Sequence, residues 1–184
     1  IHIEDQVDLK RCGQRPNKKL VSITEMQDRI KAAVDARIDD DFVIMARSDA
    51  LAVENEEMLL ERINSYIEVG ADMIFPEALV SLDGYKKITQ KSSVPILANI
   101  TEFGKTPLFS KKELHDAGVS MVLYPLTAFR AMSKAAEKIY KELSSSESQE
   151  NMLGEMQTRD ELYDYLSYHK YEKEMDDILN KKDE

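Results

Sequence analysis

The chain has 184 residues, 42% of them hydrophobic, with one cysteine and a formal charge of −10 from 25 Lys+Arg against 35 Asp+Glu. That size and apolar content fit about one domain with a real core, which argues against disorder, and a lone cysteine excludes an internal disulfide framework or a cysteine-rich zinc site. The acidic balance disfavours nucleic acid and anionic membrane as partners, no apolar run approaches the ~18 residues of a membrane span, and the start lacks a signal peptide's basic and apolar regions, so a soluble cytoplasmic chain is expected.

In chain order, Ile1-His2-Ile3-Glu4-Asp5 reads as a strand ending in carboxylates, with no initiator Met and no preceding turn, as in a fragment. Residues 42–46, 72–75, 94–98 and 119–124 are four further short segments, apolar or β-rich enough for buried parallel strands. Between them, Ser22-Ile23-Thr24-Glu25 and Ser110-Lys111-Lys112-Glu113 match the capping box that opens a helix. Residues 55–69 place Leu59, Ile63 and Ile67 on one helical stripe with Met58 beside it. The run from Gly70 to Phe75 echoes that from Gly118 to Leu123, a helix-ending glycine followed by a strand. Such alternation fits either a (β/α)8 barrel or a doubly wound sheet, and periodicity leaves both open.

After Tyr124 the pattern changes to a long helix over 126–143, a polar break at Ser144-Ser145-Ser146-Glu147-Ser148, and a charged helical tail opening with a third capping box, Thr158-Arg159-Asp160-Glu161. The tail's Tyr163, Tyr165, Tyr168 and Tyr171 read as packing residues. A tail of this kind commonly docks on a neighbouring subunit, so an oligomer is expected. The organisation expected is a strand-and-helix part over 1–143 and a helical tail over 144–184.

Polar residues recur just after the strands: Glu4 and Asp5, Arg47 and Asp49, Glu77, then Asn99, Thr101 and Glu102. In a barrel that end carries the active site, although capping and solvated loops use the same residue types. In Lys10-Arg11-Cys12-Gly13-Gln14-Arg15-Pro16 a lone thiol stands between cations, which favour thiolate, so it is a candidate for proton exchange; an incidental loop thiol is the alternative. His2, His115 and His169 have no metal-triad spacing and read as structural.

The loop Lys10-Arg11-Cys12-Gly13, preceded by His2-Ile3-Glu4-Asp5-Gln6, resembles the catalytic-loop motif of the isocitrate lyase and phosphoenolpyruvate mutase superfamily. The likeness continues through residues 42–47, 75–78, 97–104, 124–130 and 156–159, nearly the whole chain. It implies an α/β fold, a (β/α)8 TIM-type barrel of which this chain supplies strands 4–8 and the C-terminal helices, with the helix after the last strand exchanged between subunits of a homotetramer. It also implies Mg²⁺-dependent retro-aldol cleavage of a tricarboxylate, 2-methylisocitrate, to pyruvate and succinate in propionate breakdown, an activity not expected of the fragment alone.

Carried over by position, Cys12 is the catalytic thiol, and Cys12 and Gly13 touch substrate. Arg47, Arg130 and Arg159 hold its carboxylates, a task suited to the guanidinium fork. Glu77, Asn99, Ile100 and Thr101 complete the pocket, and Glu4 acts on the water shell of the metal, whose direct aspartate ligands lie outside this chain. Phe75 and Leu123, where isocitrate lyase relatives carry bulkier aromatics, leave room for the substrate methyl. One departure is Gln14, where the family's loops commonly carry His. An isocitrate lyase, a phosphonate-forming mutase and a truncated, non-catalytic half-barrel are the alternatives.

Overall fold

Five short strands, β1 (His2–Glu4), β2 (Met45–Ser48), β3 (Met73–Pro76), β4 (Leu97–Asn99) and β5 (Met121–Leu123), organise the first part of a computed structural model that describes residues 1–146 and 148–180. Each runs parallel to its predecessor: β1 pairs with β2, β2 with β3, and β4 with β5, while a parallel bridge between Ile74 and Ile96 joins β3 to the approach to β4. Strand order therefore never reverses. A doubly wound sheet turns back at a switch point, whereas a barrel lays each strand beside the last, so the order decides for an arc of a barrel.

Helices α1 (Ile23–Ala36), α2 (Glu56–Glu68), α3 (Leu82–Lys91) and α4 (Lys111–Asp116) occupy the crossovers. Ser22, Asn55, Ser81 and Ser110 cap them, each side chain accepting a backbone N–H of the first turn. The box at Ser110 is complete, but at Ser22 only half forms, because the Glu25 carboxylate pairs with Arg29 at 2.7 Å. Gly70 and Gly118 end their helices at φ 106° and 85°, a conformation that glycine adopts without strain.

Side chains alternate across the strands. One face, with Ala46, Ile74 and Ala98, packs with Met26, Ile30, Leu59, Ile63 and Leu114 of the helices into the main core. The opposite face contributes a smaller apolar cluster of Met45, Phe75 and Leu97, with Met73 and Leu123 packed against it. Beyond this second cluster, towards the strands' carboxyl ends, Glu4 and Arg47 stand in register, as do Asn99 and Leu123.

Several boundaries differ from the sequence reading, β4 among them, which begins at Leu97 rather than Val94, and two of the differences have a visible cause. β2 begins at Met45 because Phe42 closes a turn onto the Asp39 carbonyl at 3.0 Å, leaving Phe42 and Val43 46% and 41% exposed. The long helix α5 (Thr127–Ser146) runs into the serine run, where the Ser145 and Ser146 hydroxyls donate back to the Glu142 carbonyl at 3.1 and 2.9 Å. Glu147, in the same polar break, lies outside the described residues.

The chain divides into a unit of Ile1–Thr127 and a second from Ala128 onward. Within the second, a 3₁₀ turn (Glu150–Glu155) is tied to α5 by Lys138 and Glu155 at 2.5 Å. The complete capping box of Thr158 opens α6 (Arg159–Leu166), and Ser167, at φ 51°, turns the chain into α7 (Tyr168–Asn180). There the Tyr163 and Tyr168 rings stack at 4.3 Å. Among the described residues no helix is long and apolar enough to cross a membrane.

Candidate active site

Arg47 is the centre of a polar cluster at the strand ends. Its Nε lies 3.1 Å from Asp49 Oδ2 and 3.5 Å from Glu4 Oε2, its Nη2 is 3.8 Å from Glu77 Oε2, and its guanidinium sits over the Phe75 ring at 5.0 Å. Burial opposes its charge, but Asp49 and Glu77 outweigh that and hold it more firmly protonated than a free arginine.

Glu77 is 1% exposed; burial raises its pKa, with Arg47 and the hydrogen bond from Asn99 acting against the rise. Asn99 Nδ2 donates to Glu77 Oε2 at 3.2 Å, while Asn99 Oδ1 is buried without a protein partner. Such an orphaned acceptor is costly when dry and is a natural place for a donor from a ligand. Deeper in, Asp5 accepts from the Ser48 hydroxyl at 2.7 Å, the Asp49 N–H at 2.9 Å and the Tyr66 hydroxyl at 3.0 Å. Burial still raises its pKa.

The loop that carries the thiol folds down onto this cluster. Gly13 is buried, and a Cβ there would stand 2.4 Å from Arg47 Nη2. Cys12 beside it is exposed, and its carbonyl accepts the Arg15 N–H at 2.9 Å in a tight turn. Gln14 Nε2 donates to Glu77 and its Oε1 accepts the Lys105 N–H, at 2.7 Å, so the residue that replaces the expected histidine latches the loop to two strand-end segments. Lys10 pairs with Glu4 at 2.6 Å.

The structure thus brings Glu4, Gly13, Arg47, Glu77 and Asn99 together, with Cys12 at the edge. Thr101 is buried in the loop after β4, where it and Gln14 crowd Gly104. The Ile100 side chain belongs to the main core and its N–H is taken by the Leu123 carbonyl at 2.9 Å. Phe75 and Leu123 share the smaller apolar cluster. Arg130 lies in α5 and Arg159 opens α6, both in the second unit. Sequence reasoning gave no role to Gln6 or Lys18, both buried and bound to Asp49; a lysine inside a polar loop carries no sequence mark of burial.

Mg²⁺ requires near-octahedral oxygen ligands. Among the described residues no group of three or more His, Cys, Asp or Glu is placed to hold a metal, and Asp5, Asp49 and Glu77 are already engaged by protein donors. These residues do not fit as direct ligands of the ion.

A sequential parallel sheet with a glycine-seated thiol loop over an arginine–carboxylate cluster defines a barrel enzyme scaffold, and the chain belongs to the phosphoenolpyruvate phosphomutase family, whose model matches residues 1–144. It is 56% identical over 182 residues to the 2-methylisocitrate lyase of Salmonella typhimurium, covering 99% of this chain and 62% of that protein. Among solved structures it resembles 2,3-dimethylmalate lyase, a PEP mutase/isocitrate lyase superfamily member, with TM-score 0.85 and 31% identity over 94% of this chain and 57% of the other. It shares the fold of phosphonopyruvate hydrolase, solved with oxalate and Mg²⁺, at TM-score 0.78 and 24% identity over 93% of this chain and 59% of the other. The sheet is therefore part of the TIM-type barrel of this superfamily. The chain spans less than two thirds of the length of these relatives.

Proposed function

We propose that this chain forms the thiol loop and part of the substrate wall of a 2-methylisocitrate lyase, which cleaves that tricarboxylate to pyruvate and succinate in propionate catabolism. The observation that carries the reading is the seating of the Cys12-Gly13 loop against Arg47 and Glu77, in a chain 56% identical to a curated lyase of that specificity.

In the proposed reaction a general base takes the substrate hydroxyl proton, and that oxygen becomes the carbonyl oxygen of pyruvate. The bond to the neighbouring carbon breaks, and its electron pair moves onto that carbon of the nascent succinate, delocalised into the carboxylate. The Cys12 thiol delivers a proton to that carbon. Arg47, Arg130 and Arg159 bind carboxylates through charge-assisted hydrogen bonds. Glu77, Asn99 and Thr101 complete the pocket, Ile100 could reach it only through its backbone carbonyl because its side chain lies in the main core, and Asn99 Oδ1 is the pocket's open acceptor. A closed loop keeps water from the carbanion. Mg²⁺ is the proposed cofactor; Glu4 would act on its water shell, and its direct aspartate ligands would come from outside this chain.

We further propose a cytoplasmic homotetramer in which the helix after the last strand, α5, is exchanged between subunits and the helical tail docks on a neighbouring one. It is supported by α5, which buries no residue of its own in this chain and leaves Met132 and Tyr140 68% and 73% exposed.

The test is to offer the complete protein 2-methylisocitrate and isocitrate and to quantify products. Equal amounts of pyruvate and succinate, formed faster than glyoxylate from isocitrate, are expected. Faster glyoxylate formation would make it an isocitrate lyase, and no cleavage of either would end the lyase reading. The 184-residue chain alone is expected to be inactive.

A further inference from the structure

The residues on either side of Cys12 are each held through their backbone by a buried side chain. On one side Gln6 grips Arg11 twice, Nε2 donating to the Arg11 carbonyl at 2.9 Å and Oε1 accepting the Arg11 N–H at 2.8 Å. On the other side Lys18 Nζ donates to the Gly13 carbonyl. Both holds end on one carboxylate. Gln6 Nε2 also lies 3.1 Å from Asp49 Oδ2, and Lys18 Nζ is 3.3 Å from Asp49 Oδ1. The same carboxylate accepts Arg47 Nε at 3.1 Å and Nη2 at 3.3 Å.

Burial gives this arrangement its force. The Lys18 and Asp49 side chains are 1% and 0% exposed, so neither has bulk water as an alternative partner, and loss of either leaves an uncompensated charge in place. An exposed Lys–Asp pair would constrain little. The other ties of the loop, Lys10 to Glu4 and Gln14 to Glu77 and to the Lys105 N–H, act through the loop's own side chains and leave its backbone beside Cys12 untouched.

We propose that Asp49 is a positioning residue which, through Gln6 and Lys18, fixes the Cys12 loop relative to Arg47, so that the thiol and the carboxylate-binding guanidinium share one anchor. The catalytic consequence rests on the lyase reading; the anchoring does not. The separation between thiol and substrate is then set by one buried carboxylate rather than by the loop's own conformation.

Amide hydrogen exchange and steady-state kinetics on the complete protein test this together, using Lys18→Met, Gln6→Leu and Asp49→Asn. In each variant the loop peptide over residues 10–15 is expected to exchange about tenfold faster, with the β2 and α2 peptides unchanged. Turnover is expected to fall about 100-fold while KM stays within a few-fold, as for a misplaced reacting group. Lys18→Arg, which keeps the charge, should recover part of the loss, and the Lys18→Met/Asp49→Asn double variant should lose little more than Asp49→Asn alone. Native-like loop exchange in a folded Lys18→Met protein, or a loss confined to KM, would overturn the proposal. Should Asp49→Asn fail to fold, Lys18→Met and Gln6→Leu, which keep the Asp49–Arg47 pair, decide the matter. If the native protein cleaves neither substrate, the lyase reading falls, and the exchange data still decide the anchoring.

Discussion

Gly13 and Arg47 approach so closely that no side chain fits between them: a Cβ on Gly13 would lie 2.4 Å from Arg47 Nη2 and 2.6 Å from Glu77 Cγ. Neither neighbour can retreat, since Arg47 is pinned by Asp49 over Phe75 and Glu77 is buried. Gly13→Ala should therefore lift the loop. Turnover is expected to fall about 100-fold, as for a displaced reacting group. The unfolding midpoint should fall as well, because a lifted loop gives up the buried Lys18 hold on the Gly13 carbonyl, a hydrogen bond from a charged group of about 1.5–3 kcal/mol. Kinetics alongside thermal melts check this, and normal turnover would mean that the loop works without this contact.

Arg47→Lys keeps the charge and removes the fork. Lysine cannot make the paired contacts to Asp49 or lie flat over Phe75. Loss of a two-pronged, charge-assisted contact of about 1.5–3 kcal/mol corresponds to a fall in kcat/KM of roughly 10- to 150-fold. Unchanged kinetic constants would show that Arg47 only braces the strand ends.

Glu77 makes stability depend on pH with a definite sign. Burial raises its pKa in the folded protein above the ordinary value of 4.5, so the folded state holds this proton more tightly than the unfolded chain. Its contribution to stability is therefore greatest below the ordinary value and is lost as pH rises through the raised one. Glu77→Gln cannot titrate, so the stability difference between variant and native protein should move in the variant's favour across that window. Urea unfolding at about pH 4, 5.5 and 7 measures it. A difference moving the other way would contradict the burial-dominated environment.

Substrate choice is tested most cleanly at Leu123. Phe75 is wedged between the Arg47 guanidinium at 5.0 Å and the His2 ring at 5.7 Å, so Phe75→Trp would strain its own surroundings, whereas Leu123 is only partly buried at the end of β5. Leu123→Phe should lower kcat/KM for 2-methylisocitrate about 10- to 200-fold more than for isocitrate, the range that one methyl commands in an apolar pocket. An equal loss on both substrates would remove Leu123 from the methyl-facing wall and leave the lyase reading intact.

Much of the scaffold was legible in the chain. The Ser110 and Thr158 boxes and the two αβ glycines are local signals, and local hydrogen bonding decides them. β2 was displaced because an apolar run does not reveal that Phe42 closes a turn. The choice between barrel and doubly wound sheet needed the strand order, a property of pairing that periodicity does not carry. Arg47, Asp49, Glu77 and Asn99 stand out by their station after strands, but Gln6 and Lys18 lie far from Asp49 in sequence and meet it through buried contacts that only the fold creates.

In the proposed reaction Cys12 delivers a proton to the carbon released by cleavage. Replacing it by serine changes one atom in an exposed position and leaves the anchors of the loop untouched, but a hydroxyl is a far weaker acid than a thiol. Turnover of 2-methylisocitrate by the complete Cys12→Ser protein is the direct measurement. A fall of about 100- to 10,000-fold, with KM and the unfolding midpoint near native, is predicted; near-native turnover would contradict the role assigned to this thiol.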